Sequence, residues 1–405
     1  MHRLHIGHRG VAGFAAAALV LVTGLGGLAG PARADTVGGE ELASPHRTVR
    51  VLPGAKPLPE VWAQTWILAD ATTGEVLAQK GSHIRRAPAS TLKMLTALAV
   101  LPNTSPEDTY VATAKAAYIY GSRVGLKPGR TYSLDQLWYA VFLPSANDAA
   151  IAVAQANGGV GKTIDEMNVI ARDLQATDTV AKNTSGLDAP GQLSSAYDLA
   201  LIARAGLARE DFSRYAGTAR AEFPNVKGKR SHPIYTTNRL LLHGYEGMTG
   251  VKTGFTSRAG RTYVGAATRE GTNLIVALMG IRESSESAAR KLLDWGFANR
   301  GTITPIGELV TPISAGGDPV PQASPPTEST GADDSTPPAA SAAAAVGDTR
   351  RAASPIVAES PARMSTAVLW GGALLAIAAA AASLMAMRGR RRAGAPRGRH
   401  SAASG

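Results

Sequence analysis

The sequence contains no cysteine, so neither a disulfide framework nor a thiolate nucleophile is available to it. Such a chain, if exported, relies on its core rather than on covalent staples. Histidine is sparse. Beyond the first 34 residues it occurs only at His46, His83, His232, His243 and His400, with no HxH or HExxH pair, so a zinc site is not expected. There is also no G-x-S-x-G elbow, which together with the few histidines argues against a Ser-His-Asp hydrolase. Acidic residues are missing from both ends of the chain. Arg3, Arg9 and Arg33 lie in an acid-free start, and Arg388, Arg390, Arg391, Arg392, Arg397 and Arg399 in an acid-free tail. Of the net charge of +11 over 405 residues, those nine arginines leave only +2 for the remainder. No nucleic-acid surface is expected from that balance.

What is present is organised around Ala87-Pro88-Ala89-Ser90-Thr91-Leu92-Lys93, which leads into the apolar run Met94, Leu95, Ala97, Leu98, Ala99, Val100. The run predicts a buried helix. Residues three apart on a helix share a face, so the Lys93 amine would lie against the Ser90 hydroxyl. Burial disfavours a lysine's charge and lowers its pKa. A neutral amine can then take the serine proton and activate the nucleophile without a histidine. Four residues alone read equally well as an N-cap serine followed by a solvated lysine.

In chain order, residues 1–34 read as a signal peptide: a basic start, an apolar stretch from Val11 to Leu28, and Ala32-Arg33-Ala34 as an A-x-A cleavage site. Residues 35–59 read as a leader or linker, and 60–313 as the catalytic domain. A strand is expected over Val61–Leu68 and a return strand over Val76–Gln79. Ser133 reads as the N-cap of a helix to Leu143. Pro144 interrupts it, and a second helix is expected from Ala149 to Ala156, so that Ser145-Ala146-Asn147 forms a polar corner, either capping a helix or facing a cleft. Further helices are expected over Met167–Ala176 and Ser194–Ala208. Three antiparallel strands follow, around Gly250–Thr256, Arg261–Ala267 and Asn273–Met279, and then a closing helix from Ser284 to Asn299. The Pro-, Ala- and Ser-rich residues 314–363 read as a disordered tether. Met364–Met387 is uncharged for 24 residues. At the helical rise that is ~36 Å, more than the roughly 30 Å hydrocarbon core of a bilayer. A transmembrane helix over 364–387 and a basic cytoplasmic tail over 388–405 are therefore expected. The folded domain would then sit on the extracytoplasmic face of the cell membrane, held by a single pass.

The trio Ser90-x-x-Lys93, Ser145-x-Asn147 and Lys252-Thr253-Gly254 resembles the penicillin-recognising serine enzymes. Within them it is most similar to the low-molecular-weight D-alanyl-D-alanine carboxypeptidases. The stretches that carry the likeness are Pro88–Lys93, Ser145–Ala150, Asn183–Asp188, Thr237–Leu241 and Gly250–Thr256, across roughly residues 60–305. The resemblance implies the α/β/α sandwich of the penicillin-binding protein and serine β-lactamase superfamily, an antiparallel sheet flanked by helices with an all-α cluster. It implies Ser90 as nucleophile, Lys93 as general base and Ser145 as proton relay to the departing D-alanine. Asn147 would bind the substrate's peptide side and steady Lys93. Lys252 would supply positive potential, and Thr253 would contact the terminal carboxylate. The Ser90 and Phe255 amides would form the oxyanion hole, and Gly254 would leave room for a substrate along the strand. The implied substrate is a peptidoglycan stem peptide ending in D-Ala–D-Ala, β-lactams are covalent inhibitors, and no cofactor or metal is needed. Arg282 and Arg258 are candidates for the basic residue that helps Thr253. Thr302–Ile313 reads as the stub of a further β-rich domain.

Among rivals, a class A β-lactamase needs a deacylating glutamate within E-x-x-x-N. The only glutamate between residues 131 and 209 is Glu166, and position 170 is Ile170. Transpeptidases and endopeptidases use the same groups as a carboxypeptidase. A wall-binding protein with a decayed site would have lost one of these residues, and none is missing.

Overall fold

The computed structural model describes residues 36–225 and 230–318. The expected signal peptide, the spanning helix and basic tail, and all but the first residues of the tether lie outside the described residues. Among the described residues, no helix is long and apolar enough to cross a membrane.

The strand β1 (Arg47–Val51) is followed by the hairpin of β2 (Thr65–Asp70) and β3 (Glu75–Lys80). Then come α1 (Lys93–Val100), β4 (Thr109–Val111), α2 (Ala114–Ala117), β5 (Thr131–Ser133), α3 (Leu134–Phe142) and α4 (Asn147–Ala156). The helices α5 (Val160–Asp173), α6 (Ala196–Leu207) and α7 (Glu210–Ala216) follow, then β6 (Arg220–Pro224), β7 (Ser231–Tyr235) and the short α8 (Arg239–Leu242). The chain closes with β8 (Met248–Thr256), β9 (Gly260–Arg269), β10 (Thr272–Ile281), α9 (Ser285–Ala298), β11 (Ile303–Thr304) and β12 (Gly307–Glu308). The main sheet runs β11-β1-β3-β2-β10-β9-β8, with β12 also on β3. Its pairs are antiparallel.

Strand alternation divides the core into two layers. Side chains on a strand point to opposite faces in turn, so Ile67 and Ala69 of β2 join Ile275, Ala277 and Met279 of β10 against the helical cluster of α1 and α3 to α7. Trp66, Leu68, Leu274, Val276 and Leu278 face the other way, onto Ala288, Leu292 and Trp295 of α9. Helix α3 starts where its capping signal stands: the Ser133 hydroxyl accepts from the Gln136 amide and the Gln136 side chain accepts from the Ser133 amide.

Several expectations need correction. Residues 35–59 are not merely a leader: β1 pairs with β3, and Leu42, on a 3-10 turn over Glu40–Ala43, is fully buried. Thr302–Ile313 is no stub of another domain, because β11 pairs with β1 and β12 with β3 at the far edge of the same sheet. The start of the expected tether is attached as well: Ser314 donates its amide (2.8 Å) and hydroxyl (2.7 Å) to the Asp173 carboxylate. The helix after Pro144 begins two residues early, at Asn147, and the helix expected from Met167 begins at Val160.

Candidate active site

The serine does not sit in regular α-helix. Residues Ala89–Leu92 form a 3-10 turn, and only at Lys93 does α1 begin. Ala89 adopts φ 51°, a left-handed conformation unusual for a residue with a Cβ. Against this turn presses the loop 183–188, so closely that a Cβ on Gly186 would stand 1.9 Å from the Ala89 carbonyl oxygen. Asn183 organises that loop, its side-chain oxygen accepting from the amides of Ser185 (3.2 Å) and Gly186 (2.8 Å). The effect is to aim the Ser185 carbonyl at Lys93.

Lys93 is fully buried and its Nζ has three partners: Ser90 Oγ at 2.8 Å, Asn147 Oδ1 at 2.7 Å and the Ser185 carbonyl at 2.6 Å. Two of these are carbonyl oxygens, which only accept. Ser90 is the single partner that can give up a proton. Burial drives the Lys93 pKa well below 10.5, the nearby Lys252 charge lowers it further, and Asp148 opposes the change. A neutral Lys93 keeps two N–H bonds to the carbonyls and directs its lone pair at Ser90.

Ser145 sits at the corner between α3 and α4 with φ 60°. It is buried, it lines the same cleft as Ser90, and among the described residues its hydroxyl has no hydrogen-bond partner. Asn147 is held on both sides of its amide. Its oxygen accepts from Lys93 Nζ, its Nδ2 donates to the Tyr120 carbonyl (2.9 Å), and its own backbone amide donates to the Ser122 carbonyl (2.7 Å). The next residue, Asp148, is fully buried and accepts from the amides of Val124, Gly125 and Leu126. Those bonds brace the loop that forms one wall.

The opposite wall is β8. Paired residues of antiparallel strands share a face, so the register Gly254↔Thr262 and Thr253↔Tyr263 puts Lys252, Gly254 and Thr262 on one side and Thr253, Phe255, Arg261 and Tyr263 on the other. On the first side Thr262 donates to the Pro88 carbonyl at 2.9 Å, and a Cβ on Gly254 would come within 2.7 Å of the Ser90 amide nitrogen and 3.0 Å of the Ala89 Cβ. The glycine is thus required by the packing of β8 against the serine turn, and it also lines the cleft. Lys252 is buried, donates to the Thr253 carbonyl at 2.9 Å, and has its pKa lowered by burial to about 7. It does not line the cleft. On the second side the Thr253 and Thr237 hydroxyls are 2.6 Å apart.

The cleft between the walls, of about 520 Å³, is lined by Ser90, Ser145, Thr237, Thr253 and Phe255. Its arginines are Arg239 and Arg261; neither Arg258 nor Arg282 lines it. Arg282 faces a separate groove with Trp62 and Arg86. The sequence reading missed Arg239, Arg261 and the Ser185 carbonyl. An arginine in strand register with Phe255 was a usable signal for Arg261, whereas no side chain marks a carbonyl. Glu166 lies on α5, tied to Lys162 and Asn157, and takes no part in the cleft.

A serine activated by a buried lysine, facing a second serine across a cleft rimmed by hydroxyls and arginines, defines an acyl-transfer enzyme of the penicillin-binding fold. The profile of the D-alanyl-D-alanine carboxypeptidase family matches residues 53–283, and the chain belongs to that family. It is similar to the D-alanyl-D-alanine carboxypeptidase DacB2 of Mycobacterium tuberculosis, 40% identical over 252 residues that make up 60% of this chain and 86% of the relative. It is also similar to DacA of Escherichia coli, 34% identical over 270 residues, and spans 65% of that relative's length. Among solved structures, a D-alanyl-D-alanine carboxypeptidase from M. tuberculosis H37Rv superposes with a TM-score of 0.61 at 38% identity, covering 64% of this chain and 100% of that one. The Streptomyces K15 DD-transpeptidase gives a TM-score of 0.57 at 28% identity, covering 60% and 100% respectively.

Proposed function

We propose a division of labour among the cleft residues for the reaction of this family. The protein is a serine-type D-alanyl-D-alanine carboxypeptidase that acts on D-Ala–D-Ala-terminated peptidoglycan peptides and is acylated by β-lactams. The Ser90 Oγ proton passes to neutral Lys93 as Oγ bonds to the carbonyl carbon of the penultimate D-alanine. The resulting oxyanion is received by the Ser90 and Phe255 amides; such donors are typically worth ~3 kcal/mol each. As the C–N bond breaks, Ser145 hands its hydroxyl proton to the leaving amine and is reprotonated from Lys93. Water then attacks the acyl-enzyme, giving its proton to Lys93, and Ser90 is restored. Thr253 and Thr237, with Arg261 on the same strand face, receive the terminal carboxylate.

The observation that carries this assignment is the Lys93 site, in which two carbonyls and one hydroxyl leave the amine a single possible proton source. The test is release of D-alanine from Nα,Nε-diacetyl-L-Lys-D-Ala-D-Ala. Ser90→Ala should abolish it, and Ser145→Ala should lower kcat by about 10²–10³. Unchanged turnover by Ser90→Ala would overturn the assignment.

The reading also places the domain outside the cell membrane, exported by residues 1–34 and tethered by 364–387, on the strength of their composition. Protease added to intact cells should remove the domain and spare a tag on the C-terminus. Protection of the domain would refute that placement.

A further inference from the structure

Three cations that the chemistry above does not use share a groove where β2 begins and β3 and β10 end. Lys80, Arg86 and Arg282 line this space of about 460 Å³. The acid that lines it, Glu60, pairs with Arg47 instead. Glu283, next to Arg282, is taken up by the Trp62 amide, the Ser287 hydroxyl and Lys291. Burial, and then the repelling charge of Arg282, lower the Arg86 pKa. Two guanidinium groups on one groove without a counter-charge suit an anion. The groove shares no lining residue with the catalytic cleft, although Ile281, beside Arg282, is in register with Arg261 of that cleft.

Polar atoms in the same lining are unmatched as well. Arg86 Nε, Gln64 Oε1 and Thr65 Oγ1 are buried, and among the described residues none has a hydrogen-bond partner. Each such atom costs about 1–3 kcal/mol, which a ligand that meets it recovers. The Arg86 Nε–H donates, the Gln64 oxygen accepts, and the Thr65 hydroxyl does either. Beside them Trp62 is 64% exposed on fixed backbone, its amide donating to Glu283 and its carbonyl accepting from the Arg282 amide at 2.7 Å. We propose that this groove binds a phosphorylated sugar. The phosphate lies between Arg86 and Arg282, where a dianion answers both charges and accepts from both forks. The ring hydroxyls meet Gln64 and Thr65, and the apolar face of the ring covers the Trp62 indole.

The groove is independent of the Ser90 chemistry, and isothermal titration of the full-length protein tests it. Wild type should bind one α-D-glucose 1-phosphate per chain, and both methyl α-D-glucopyranoside and inorganic phosphate at least about tenfold more weakly. Arg282→Gln should weaken glucose 1-phosphate at least about tenfold, the loss of a bond to a charged group. Its release of D-alanine from Nα,Nε-diacetyl-L-Lys-D-Ala-D-Ala should match that of wild type. Trp62→Ala should weaken the sugar phosphate and leave inorganic phosphate as it was. A wild type that does not bind glucose 1-phosphate, or binds inorganic phosphate equally well, would overturn the proposal. So would wild-type affinity in either variant. Protein acylated by benzylpenicillin should bind the sugar phosphate unchanged. Loss of binding on acylation would place the anion at Arg239 and Arg261 of the catalytic cleft and overturn the groove. Failure of the drug to acylate the protein would instead refute the assignment of Ser90, and the variant titrations would still decide the groove.

Discussion

Replacing Lys252 with methionine should make the protein more stable at neutral pH. Lys252 is fully buried, and burial alone takes its pKa from 10.5 to about 7. A lysine whose pKa falls on folding binds fewer protons in the native than in the unfolded state between those two values, so stability rises with pH across that window. Each pKa unit is worth about 1.4 kcal/mol. At pH 7 the buried amine therefore costs the fold roughly 4 kcal/mol, and at pH 10, close to the unfolded pKa of 10.5, less than about 1 kcal/mol. Methionine removes this cost but forfeits the bond from Nζ to the Thr253 carbonyl at 2.9 Å, a loss of about 1–2 kcal/mol. Urea unfolding should find Lys252→Met more stable than wild type by about 2 kcal/mol at pH 7 and no more stable at pH 10. The titrating groups remote from Lys252 cancel in the difference, whereas Lys93, whose pKa the Lys252 charge lowers, adds to the gain at pH 7 in the same direction. A stability difference independent of pH, or destabilisation at both values, would refute the argument that Lys252 is held against the preference of its surroundings.

Three more outcomes follow from the same geometry. Lys93→Met should slow acylation by benzylpenicillin by at least about 10³-fold, because among the described residues Lys93 is the one base bonded to the Ser90 hydroxyl, whose other partner is the Ser185 carbonyl; near-normal acylation would point to another base. In wild type the acylation rate should rise with pH through a midpoint well below 10.5, since Lys93 acts only when neutral, and Asp148→Asn should move that midpoint lower by removing the charge that raises it; a pH profile unmoved by Asp148→Asn would contradict this. Gly254→Ala should lower the acylation rate by roughly 100-fold, because its Cβ would crowd the Ser90 amide and Thr262 Oγ1; stopped-flow acylation at the wild-type rate would show that the turn can yield.

Much of the site was legible because its chemistry is carried by side chains at short spacing. Ser90 and Lys93 need only helical geometry to meet, and Pro144 with Ser145 and Asn147 announces a corner between two apolar helices. What stayed hidden depends on backbone or on distant partners. The left-handed conformations of Ala89 and Ser145 leave no mark in residue type, since neither is a glycine. The Ser185 carbonyl that holds Lys93 belongs to a loop recognisable as a turn but silent about where its oxygens point. Strand β1 is short, exposed and rich in arginine, and it becomes a strand only by pairing with β3 and with Ile303 and Thr304, some 250 residues away. Arg261 reads as an ordinary surface arginine until the β8–β9 register puts it on the same face as Thr253. Strands β8 to β10 and α9 were read close to their bounds because β9 and β10 are continuous apolar runs set off by turns and α9 keeps its helical period.

The most direct test is the intact mass of the protein after exposure to benzylpenicillin, followed over hours beside Ser90→Ala. The account requires one persistent adduct of the drug's mass on the wild type and none on the variant. A correctly folded wild type without an adduct, or equal adducts on both proteins, would contradict Ser90 as the acyl carrier.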